Sequence, residues 1–353
     1  MGSISPPPLE ISPPLVNSAN PWATSLEDLK ALYECPNIGA VTTRTSLISG
    51  FAHDPSRHQF TLFDVVTHQS EQDRTNLKGR ESASLNTLGY SPHTLGTYLG
   101  FIGQIAKAPC ARPDKGFIIS VTGSPEEVAQ CYSLIRQLQE YVPFPLAMEI
   151  NLSCPNIPDK PPPAYNGDSL KSYLTSLQEL VSEPGVARIP FGLKTPPYTH
   201  AAEYMELFSA LKSSAQRDRH GVCPVSFITA TNTLGSCLVL ADPEVNASSG
   251  PALPALGIGG MAGAPLHPLA LGNVRTIRRI LSEAGSPLAH IQIIGVGGVL
   301  DHNGYKRMQA VGADIVGVGT GLGLKGVSVF GDVLNAKFTS FNGFLVSMEN
   351  NQH

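Results

Sequence analysis

The sequence has few charged residues and no excess of positive charge. Charged residues make up 15% of the chain, and the formal net charge at pH 7 is -4. Proteins that bind nucleic acid along a basic face carry a surplus of lysine and arginine, so the composition excludes that class. No run of apolar residues approaches the length of a membrane-spanning helix. With 42% hydrophobic residues, the chain is typical of a globular enzyme that contacts neither nucleic acid nor membrane.

Paired cysteines and a signal peptide are also missing. The six cysteines are spread widely, with no C-x-x-C pair, and this pattern favours a reducing compartment. The segment from Met1 to Pro14 is rich in serine and proline. It lacks the basic and apolar regions of a signal peptide. We therefore expect a cytoplasmic protein with a flexible N-terminal arm.

Histidines occur in the sequence without the spacing of a metal site. His53, His58 and His68 lie in one polar stretch, which invites a metal hypothesis. Their spacing fits neither one face of a helix nor a known zinc pattern. We therefore predict no metal site.

Short apolar runs alternate with segments of helical periodicity along most of the chain. About eight strand-then-helix units can be distinguished, which is the pattern of an α/β protein with a (β/α)8 TIM barrel. Polar and glycine-rich insertions predict long loops at the C-terminal face of the strands. We divide the chain into a flexible arm (1–16), a barrel (17–338) and an irregular C-terminal tail (339–353).

One apolar run ends in a cluster of reactive side chains. Residues 145–150 have the length of a buried strand, and Pro155 prevents its continuation. Asn151, Cys154 and Asn156 lie around that end. In a parallel barrel the carboxyl ends of strands bind ligands, so these side chains predict a reactive site. The alternative is that Cys154 is a small buried hydrophobe and the asparagines are loop formers.

Other predicted strands also end in charged or amide side chains. Arg44 follows residues 38–42; arginine is usually a surface cation, and here an anion contact is about equally expected. Lys194 ends another strand and precedes residues 195–197, whose two prolines hinder a return to the helix layer. We expect its side chain in the mouth of the barrel. Asn86 places a further carboxamide just beyond an apolar turn.

The last two predicted strands each end in a glycine-bearing turn. Gly297 and Gly298 follow one strand, and Gly319 and Thr320 follow the other. In (β/α)8 barrels the loops after strands seven and eight often hold a phosphate, because glycine lets backbone N–H groups approach its oxygens. A single glycine pair is commonly just a tight turn. Two of them in this context predict a phosphorylated ligand.

Four motifs resemble those of one enzyme family. They are residues 151–161 (NLSCPNIPDKP), 192–198 (GLKTPPY), 84–89 (SLNTLG) and 294–298 (IGVGG). Together they resemble class 1A dihydroorotate dehydrogenase, over about residues 17–330. The first motif is highly specific. Its cysteine distinguishes class 1 from the membrane-associated class 2 enzymes, which use serine as the base.

The resemblance implies an FMN-dependent oxidoreductase of pyrimidine biosynthesis. It would be a soluble homodimer that oxidises dihydroorotate to orotate and passes the electrons to fumarate. Cys154 would remove a proton from the substrate ring while flavin N5 takes a hydride. Lys194 would stabilise negative charge on the reduced flavin.

The resemblance also implies a set of binding residues. Those expected to hold the substrate are Arg44, Asn86, Leu88, Gly89, Asn151, Asn156, Asn232 and Thr233. Those expected to contact FMN are Ala19, Asn20, Arg44, Thr45, Asn86, Asn151, Lys194, Thr231, Gly263, Gly297, Gly298, Gly319 and Thr320. The last four of these correspond to the phosphate cradle. Amide side chains both donate and accept hydrogen bonds, which suits a ring of alternating C=O and N–H groups.

Three features depart from the family pattern. Arg44 stands where lysine is usual, Asn20 stands where glycine is usual, and residues 339–353 lack the amphipathic pattern of the last helix. A guanidinium is larger and planar, so the first exchange is not neutral. Two alternatives stay open: an FMN enzyme of this family acting on another cyclic amide or unsaturated substrate, and a non-catalytic FMN-binding barrel. The loop after Asn156 is of the class 1A type, so a class 1B partner subunit with FAD and an iron-sulfur cluster is not expected.

Overall fold

The computed structural model describes residues 5–153, 162–181, 187–241 and 249–335. The strands in these ranges are, in chain order, β1 (Leu15–Asn17), β2 (Ala40–Thr42), β3 (Phe60–Phe63), β4 (Ser70–Glu71), β5 (Ala83–Asn86), β6 (Gly116–Val121), β7 (Leu146–Asn151), β8 (Phe191–Thr195), β9 (Phe227–Ala230), β10 (Leu234–Cys237), β11 (Gly259–Gly263), β12 (Gln292–Val296) and β13 (Ile315–Val318). The α-helices are α1 (Leu26–Glu34), α2 (Leu95–Ala106), α3 (Pro125–Gln139), α4 (Gly167–Val181), α5 (Ala201–Arg217), α6 (His267–Glu283), α7 (His302–Ala310), α8 (Thr320–Lys325) and α9 (Val329–Leu334). Short 3-10 turns span Arg74–Asn76, Pro163–Tyr165, Ala264–Leu266 and Gly326–Ser328.

Eight of these strands form a closed parallel barrel in the order β1-β13-β12-β9-β8-β7-β6-β2. Each barrel strand is followed along the chain by one of the helices α1 to α8. The predicted (β/α)8 fold is therefore confirmed. Strand β7, which carries Asn151 at its last position, pairs with β6 on one side and β8 on the other.

Serine caps begin two of the helices where the sequence predicts them. The Ser25 side chain accepts a hydrogen bond from the backbone N–H of Asp28, and the Asp28 carboxylate accepts one from the backbone N–H of Ser25. Ser124 and Glu127 make the same reciprocal pair at the start of α3. Each pair satisfies amide donors that the first helical turn leaves free, so both helix starts are fixed locally.

The long insertions after β2 and β9 build a second sheet at the carboxyl ends of the barrel strands. Its antiparallel order is β10-β11-β5-β3-β4. The sequence patterns did not predict the pairing of Gly263 with Ala83 in this sheet. A Cβ at Gly263 would lie 2.4 Å from the Ser82 carbonyl oxygen. Glycine is needed here because the two backbones approach closely.

The described part of the N-terminal arm contacts the barrel interior, which its serine- and proline-rich composition did not indicate. Leu9 is buried and packs into the same apolar cluster as Phe227 and Ile294. Its backbone N–H donates to Oε1 of Gln292 at 2.6 Å, and Nε2 of Gln292 donates back to the Leu9 carbonyl at 3.2 Å. The first barrel strand, β1, begins at Leu15.

The longest helices of the described ranges are amphipathic helices of the outer layer. Helices α5 and α6 each contain 17 residues and bury only one face. Within the described ranges, none of the helices combines the length and apolarity needed to span a bilayer.

Candidate active site

A cavity lies at the carboxyl ends of the barrel strands. Its empty volume, including the open solvent at its mouth, is about 970 Å³. All predicted binding residues in the described part of the chain line it, namely Ala19, Asn20, Arg44, Thr45, Asn86, Leu88, Gly89, Asn151, Lys194, Thr231, Asn232, Thr233, Gly263, Gly297, Gly298, Gly319 and Thr320. The predicted base Cys154 and the predicted ligand Asn156 lie outside the described residues.

Lys194 points into the mouth of the barrel, as its position before two prolines predicts. It lies in β8 and its side chain is 3% exposed. Its Nζ donates to the Ser18 hydroxyl at 3.2 Å, and both residues line the cavity. A buried ammonium at a cavity wall offers a fixed positive charge to a ligand.

Arg44 is buried, which rules out the alternative of an exposed surface cation. The residue is 8% exposed and lines the cavity. Its Nη2 donates to the Tyr90 carbonyl at 3.0 Å and lies 3.5 Å from the Leu88 carbonyl. The guanidinium therefore holds the segment around Gly89, and it brings a positive charge to the cavity wall.

Two of the three histidines of the polar stretch lie near this charge, with their rings tilted against each other. The rings of His53 and His58 lie 5.2 Å apart, and that of His58 contacts Phe51. Burial, and then the nearby Arg44 charge, lower the pKa of His53 below its ordinary value. His68 instead contacts Phe63. Across the described ranges, no group of three or more His, Cys, Asp or Glu side chains could hold a metal ion.

The carboxamides of the site are fixed by hydrogen bonds to one another and to the backbone. Asn232 Nδ2 donates to Asn151 Oδ1 at 3.1 Å and to the Ser153 hydroxyl at 3.0 Å. Asn232 Oδ1 accepts from the backbone N–H of Thr233 at 2.8 Å. On the opposite sheet, Asn86 Nδ2 donates to the Gly260 carbonyl at 3.1 Å. These amides have defined directions at the cavity wall, so they can offer a ligand a specific set of donors and acceptors.

The two glycine turns lie on neighbouring strands, as predicted. Gly297 and Gly298 have φ values of 139° and 69°, a region that side-chain-bearing residues rarely adopt. A Cβ at Gly298 would lie 2.6 Å from the Cβ of His267, at the start of α6. A Cβ at Gly319 would meet nothing within 4 Å, and because Gly319 lines the cavity, that atom would occupy ligand space.

Sequence reasoning missed several residues of the cavity wall. They are Ser18, Pro21, Trp22, Phe60, Ser84, Ala262, Leu266 and Val296. Trp22 packs edge-to-face on Phe60 at a centroid distance of 5.5 Å. The position of Ser18 in a loop of small residues next to a strand could have identified it. The sequence around Phe60 gave no such indication, because Phe60 lies in the inserted sheet and does not follow a barrel strand.

Comparison with known proteins matches the chain to one family. The sequence model described as Dihydroorotate dehydrogenase matches residues 70–337, more than half of the chain. The chain belongs to the dihydroorotate dehydrogenase family. It is therefore an oxidoreductase, and the family assignment implied by the four motifs is confirmed.

Relatives extend the comparison over more of the chain. A Streptococcus pneumoniae (TIGR4) protein named "Probable dihydroorotate dehydrogenase A (fumarate)" is 30% identical over 253 residues, which cover 71% of each chain. A Streptococcus equi subsp. equi protein named for the same activity is 26% identical over 317 residues, covering 90% of this chain and 85% of the relative. The dihydroorotate dehydrogenase model begins after Ala19, Asn20, Arg44 and Thr45, so its match does not include those four positions.

Proposed function

We propose that this protein oxidises dihydroorotate to orotate in pyrimidine synthesis, with FMN as its bound cofactor and fumarate as the electron acceptor. Family membership supports the reaction, and the names of the relatives include fumarate. Enzymes of the family are flavoproteins. One observation carries the proposal: every described residue that the resemblance assigns to substrate or FMN lines the same cavity.

The residues of the cavity fit FMN. Gly319 leaves the wall open at the end of β13, and Gly297 and Gly298 line the cavity at the end of β12. A phosphate would be held there by backbone N–H groups beside the start of α6. The remaining cavity would accept the ring system between Lys194 and the inserted sheet. FMN supplies the two-electron acceptor of the reaction.

Lys194 and Arg44 would provide the positive charge of the site. Lys194 is held by Ser18, and its ammonium would stabilise negative charge that develops on the cofactor. Arg44 is held by the Tyr90 carbonyl, and its guanidinium would attract the substrate carboxylate. Both side chains are buried, so neither charge has to leave bulk water during turnover.

The carboxamides would orient the substrate ring and Cys154 would take its proton. Asn151 and Asn232 have their amide directions set by neighbouring groups, so a planar ring of alternating C=O and N–H groups would meet matching partners. Asn86 would complete this set from the inserted sheet. Cys154 would act as general base from the loop after β7, which requires a thiolate or an activated thiol.

Anaerobic stopped-flow mixing tests this function. The purified yellow protein is mixed with dihydroorotate and the flavin absorbance is followed, after which fumarate is added. We expect bleaching by dihydroorotate and recovery with fumarate. Cys154→Ala should slow the bleaching by roughly a hundredfold or more, because it removes the base. Absence of bleaching in the wild-type protein would overturn the assignment of dihydroorotate as substrate.

We further propose that the protein works as a homodimer. Leu238, Leu256 and Ile258 lie at the outer end of the β10–β11 hairpin and are 51%, 79% and 53% exposed. Exposed large apolar side chains that lie together commonly mark an interface. Light scattering coupled to gel filtration should give twice the chain mass, and Leu256→Asp should shift it to that of one chain. A wild-type mass of one chain would rule out the dimer.

A further inference from the structure

Glu149 is a buried carboxylate directly behind the active-site carboxamides. It lies in β7 two positions before Asn151, so both side chains point to the same face of the strand. Its exposed fraction is 2%. Oε1 accepts from the Ser120 hydroxyl at 2.9 Å and Oε2 accepts from the Thr229 hydroxyl at 2.7 Å. At this strand the described cavity wall contains Asn151 and not Glu149, so Glu149 can act on a ligand only through other residues.

The carboxylate fixes the direction of a chain of hydrogen bonds. The Ser120 hydroxyl donates to Oε1 of Glu149, and this contact uses its single hydroxyl hydrogen. In the 2.9 Å contact between Ser120 and Thr45, Thr45 must then be the donor. With its hydrogen used, Thr45 accepts from Asn151 Nδ2 at 2.9 Å. The amide nitrogen of Asn151 is thereby directed towards Thr45.

The other end of this series of hydrogen bonds is a group that can only donate. The backbone N–H of Ser153 donates to Asn151 Oδ1 at 3.3 Å. The same oxygen accepts from Asn232 Nδ2 at 3.1 Å. The path from Glu149 to Ser153 therefore runs from an acceptor to a donor, and only one arrangement of hydrogens satisfies every contact.

We propose that Glu149 is a positioning residue that sets the amide orientation of Asn151, and through it that of Asn232, for binding the substrate ring. The inference rests on the proposed function, in which these two amides contact the ring. An amide turned by 180° would present a donor where the ligand needs an acceptor. Such a mismatch leaves buried polar groups unpaired, and it would weaken binding.

Two variants separate this role from a general need for the buried hydroxyls. Ser120→Ala and Thr229→Val each remove one hydroxyl that donates to Glu149. Only Ser120 lies on the path to Asn151. Each variant, purified with FMN bound, is titrated with orotate, and binding is read from the shift of the flavin absorption band. We expect Ser120→Ala to bind orotate about tenfold more weakly than wild type. Thr229→Val should remain within about twofold.

Conservative variants at Ser120 test whether a hydroxyl at this position is enough to keep orotate binding. Ser120→Thr keeps the hydroxyl and should bind orotate as tightly as wild type. Ser120→Cys keeps the shape but donates weakly, so its affinity should lie between those of wild type and Ser120→Ala. Melting temperatures measured in parallel show whether each variant is folded.

The outcomes distinguish the inference from the function on which it rests. A wild-type protein that gives no response to orotate overturns the proposed function. If the wild type binds orotate and Ser120→Ala and Thr229→Val lose affinity equally, or neither loses any, the positioning role of Glu149 is wrong. A Ser120→Cys variant that binds as wild type, together with an unaffected Ser120→Ala, leads to the same conclusion.

Discussion

The Nδ1 atom of His267 lies 2.6 Å from the carbonyl oxygen of Gly297. The Nε2 atom of the same ring accepts a hydrogen bond from Nε of Arg307 at 2.9 Å. Because a guanidinium can only donate, Nε2 carries no hydrogen and Nδ1 must donate to the glycine. His267, in the first turn of α6, therefore supports the proposed phosphate cradle through its hydrogen bond to Gly297.

Removal of this imidazole should loosen the cradle. We expect His267→Ala to weaken FMN binding by about tenfold, because the Gly297 carbonyl loses a buried donor. His267→Asn, which can offer a donor near the same position, should lose less. FMN affinity is measured from the quenching of flavin fluorescence. His302 bonds the Val333 carbonyl in a similar way, away from the cavity. An equal loss of FMN affinity in His302→Ala would contradict a specific role for His267.

Glycine substitutions should distinguish a glycine that leaves room for the ligand from a glycine that the backbone conformation requires. Gly319→Ala places a methyl group in open cavity space, so we expect weaker FMN binding with an unchanged melting temperature of the FMN-free protein. Gly298→Ala should destabilise the protein itself, because its φ is 69° and its Cβ would meet His267. Gly103→Ala in α2 is the control, since its Cβ also meets nothing within 4 Å and Gly103 does not belong to the described cavity wall. FMN affinity retained in Gly319→Ala would show that the cofactor lies elsewhere.

For activity with dihydroorotate, the positive charge of Arg44 should matter more than the shape of its side chain. We expect Arg44→Gln to reduce kcat/KM for dihydroorotate by about a hundredfold, because a substrate carboxylate would lose a charged partner. Arg44→Lys keeps the charge and should stay within about tenfold of wild type. Arg57, an exposed residue of the same insertion, provides the control as Arg57→Gln. Equal activity in Arg44→Gln and wild type would exclude a contact with the substrate.

Burial of Lys115 should make stability depend on pH. Its Nζ donates to the carbonyls of Leu32 and Cys35 at the end of α1, and burial lowers its pKa from 10.5 to about 8. Between these values the unfolded chain binds more protons than the folded one, so stability rises with pH. Below pH 8 the folded protein carries the full penalty, about 3 kcal/mol.

Urea unfolding of wild type and Lys115→Met between pH 7 and 10 measures this effect. The difference in unfolding free energy should change in favour of wild type by about 1 kcal/mol per pH unit above pH 8. Other groups titrate equally in both proteins and cancel from the difference. A constant difference over this range would mean that the pKa of Lys115 is not lowered.

The sequence was most informative where function depends on strand ends. Lys194 and the two glycine turns lie where their sequence positions predict, because strand length and turn residues are encoded locally. The surroundings of Arg44 could not be predicted in this way. Its partner Tyr90 lies beyond the inserted sheet, and nothing near Arg44 in the sequence shows which segment covers it.

Contacts between residues far apart in the sequence explain why the inserted sheet and the hydrogen-bond network of the site could not be predicted. Strand β11 pairs with β5 from more than 170 positions away, and its glycine-rich sequence has little intrinsic strand preference. The link from Glu149 through Ser120 to Thr45 joins three separate strand regions. Hydrogen-bond direction in such a network is a property of the folded barrel, so sequence patterns alone could not reveal it.

Strand β1 closes the barrel by pairing with β13 on one side and β2 on the other, with Leu15 opposite Val316. These partners are about 300 residues apart, so ring closure must wait until almost the whole chain has left the ribosome. Until then the edges of the growing sheet are open to pairing with other chains. These edges should therefore be fully paired only when β13 has emerged, and the glycine turn that follows β13 would be the last part of the site to form.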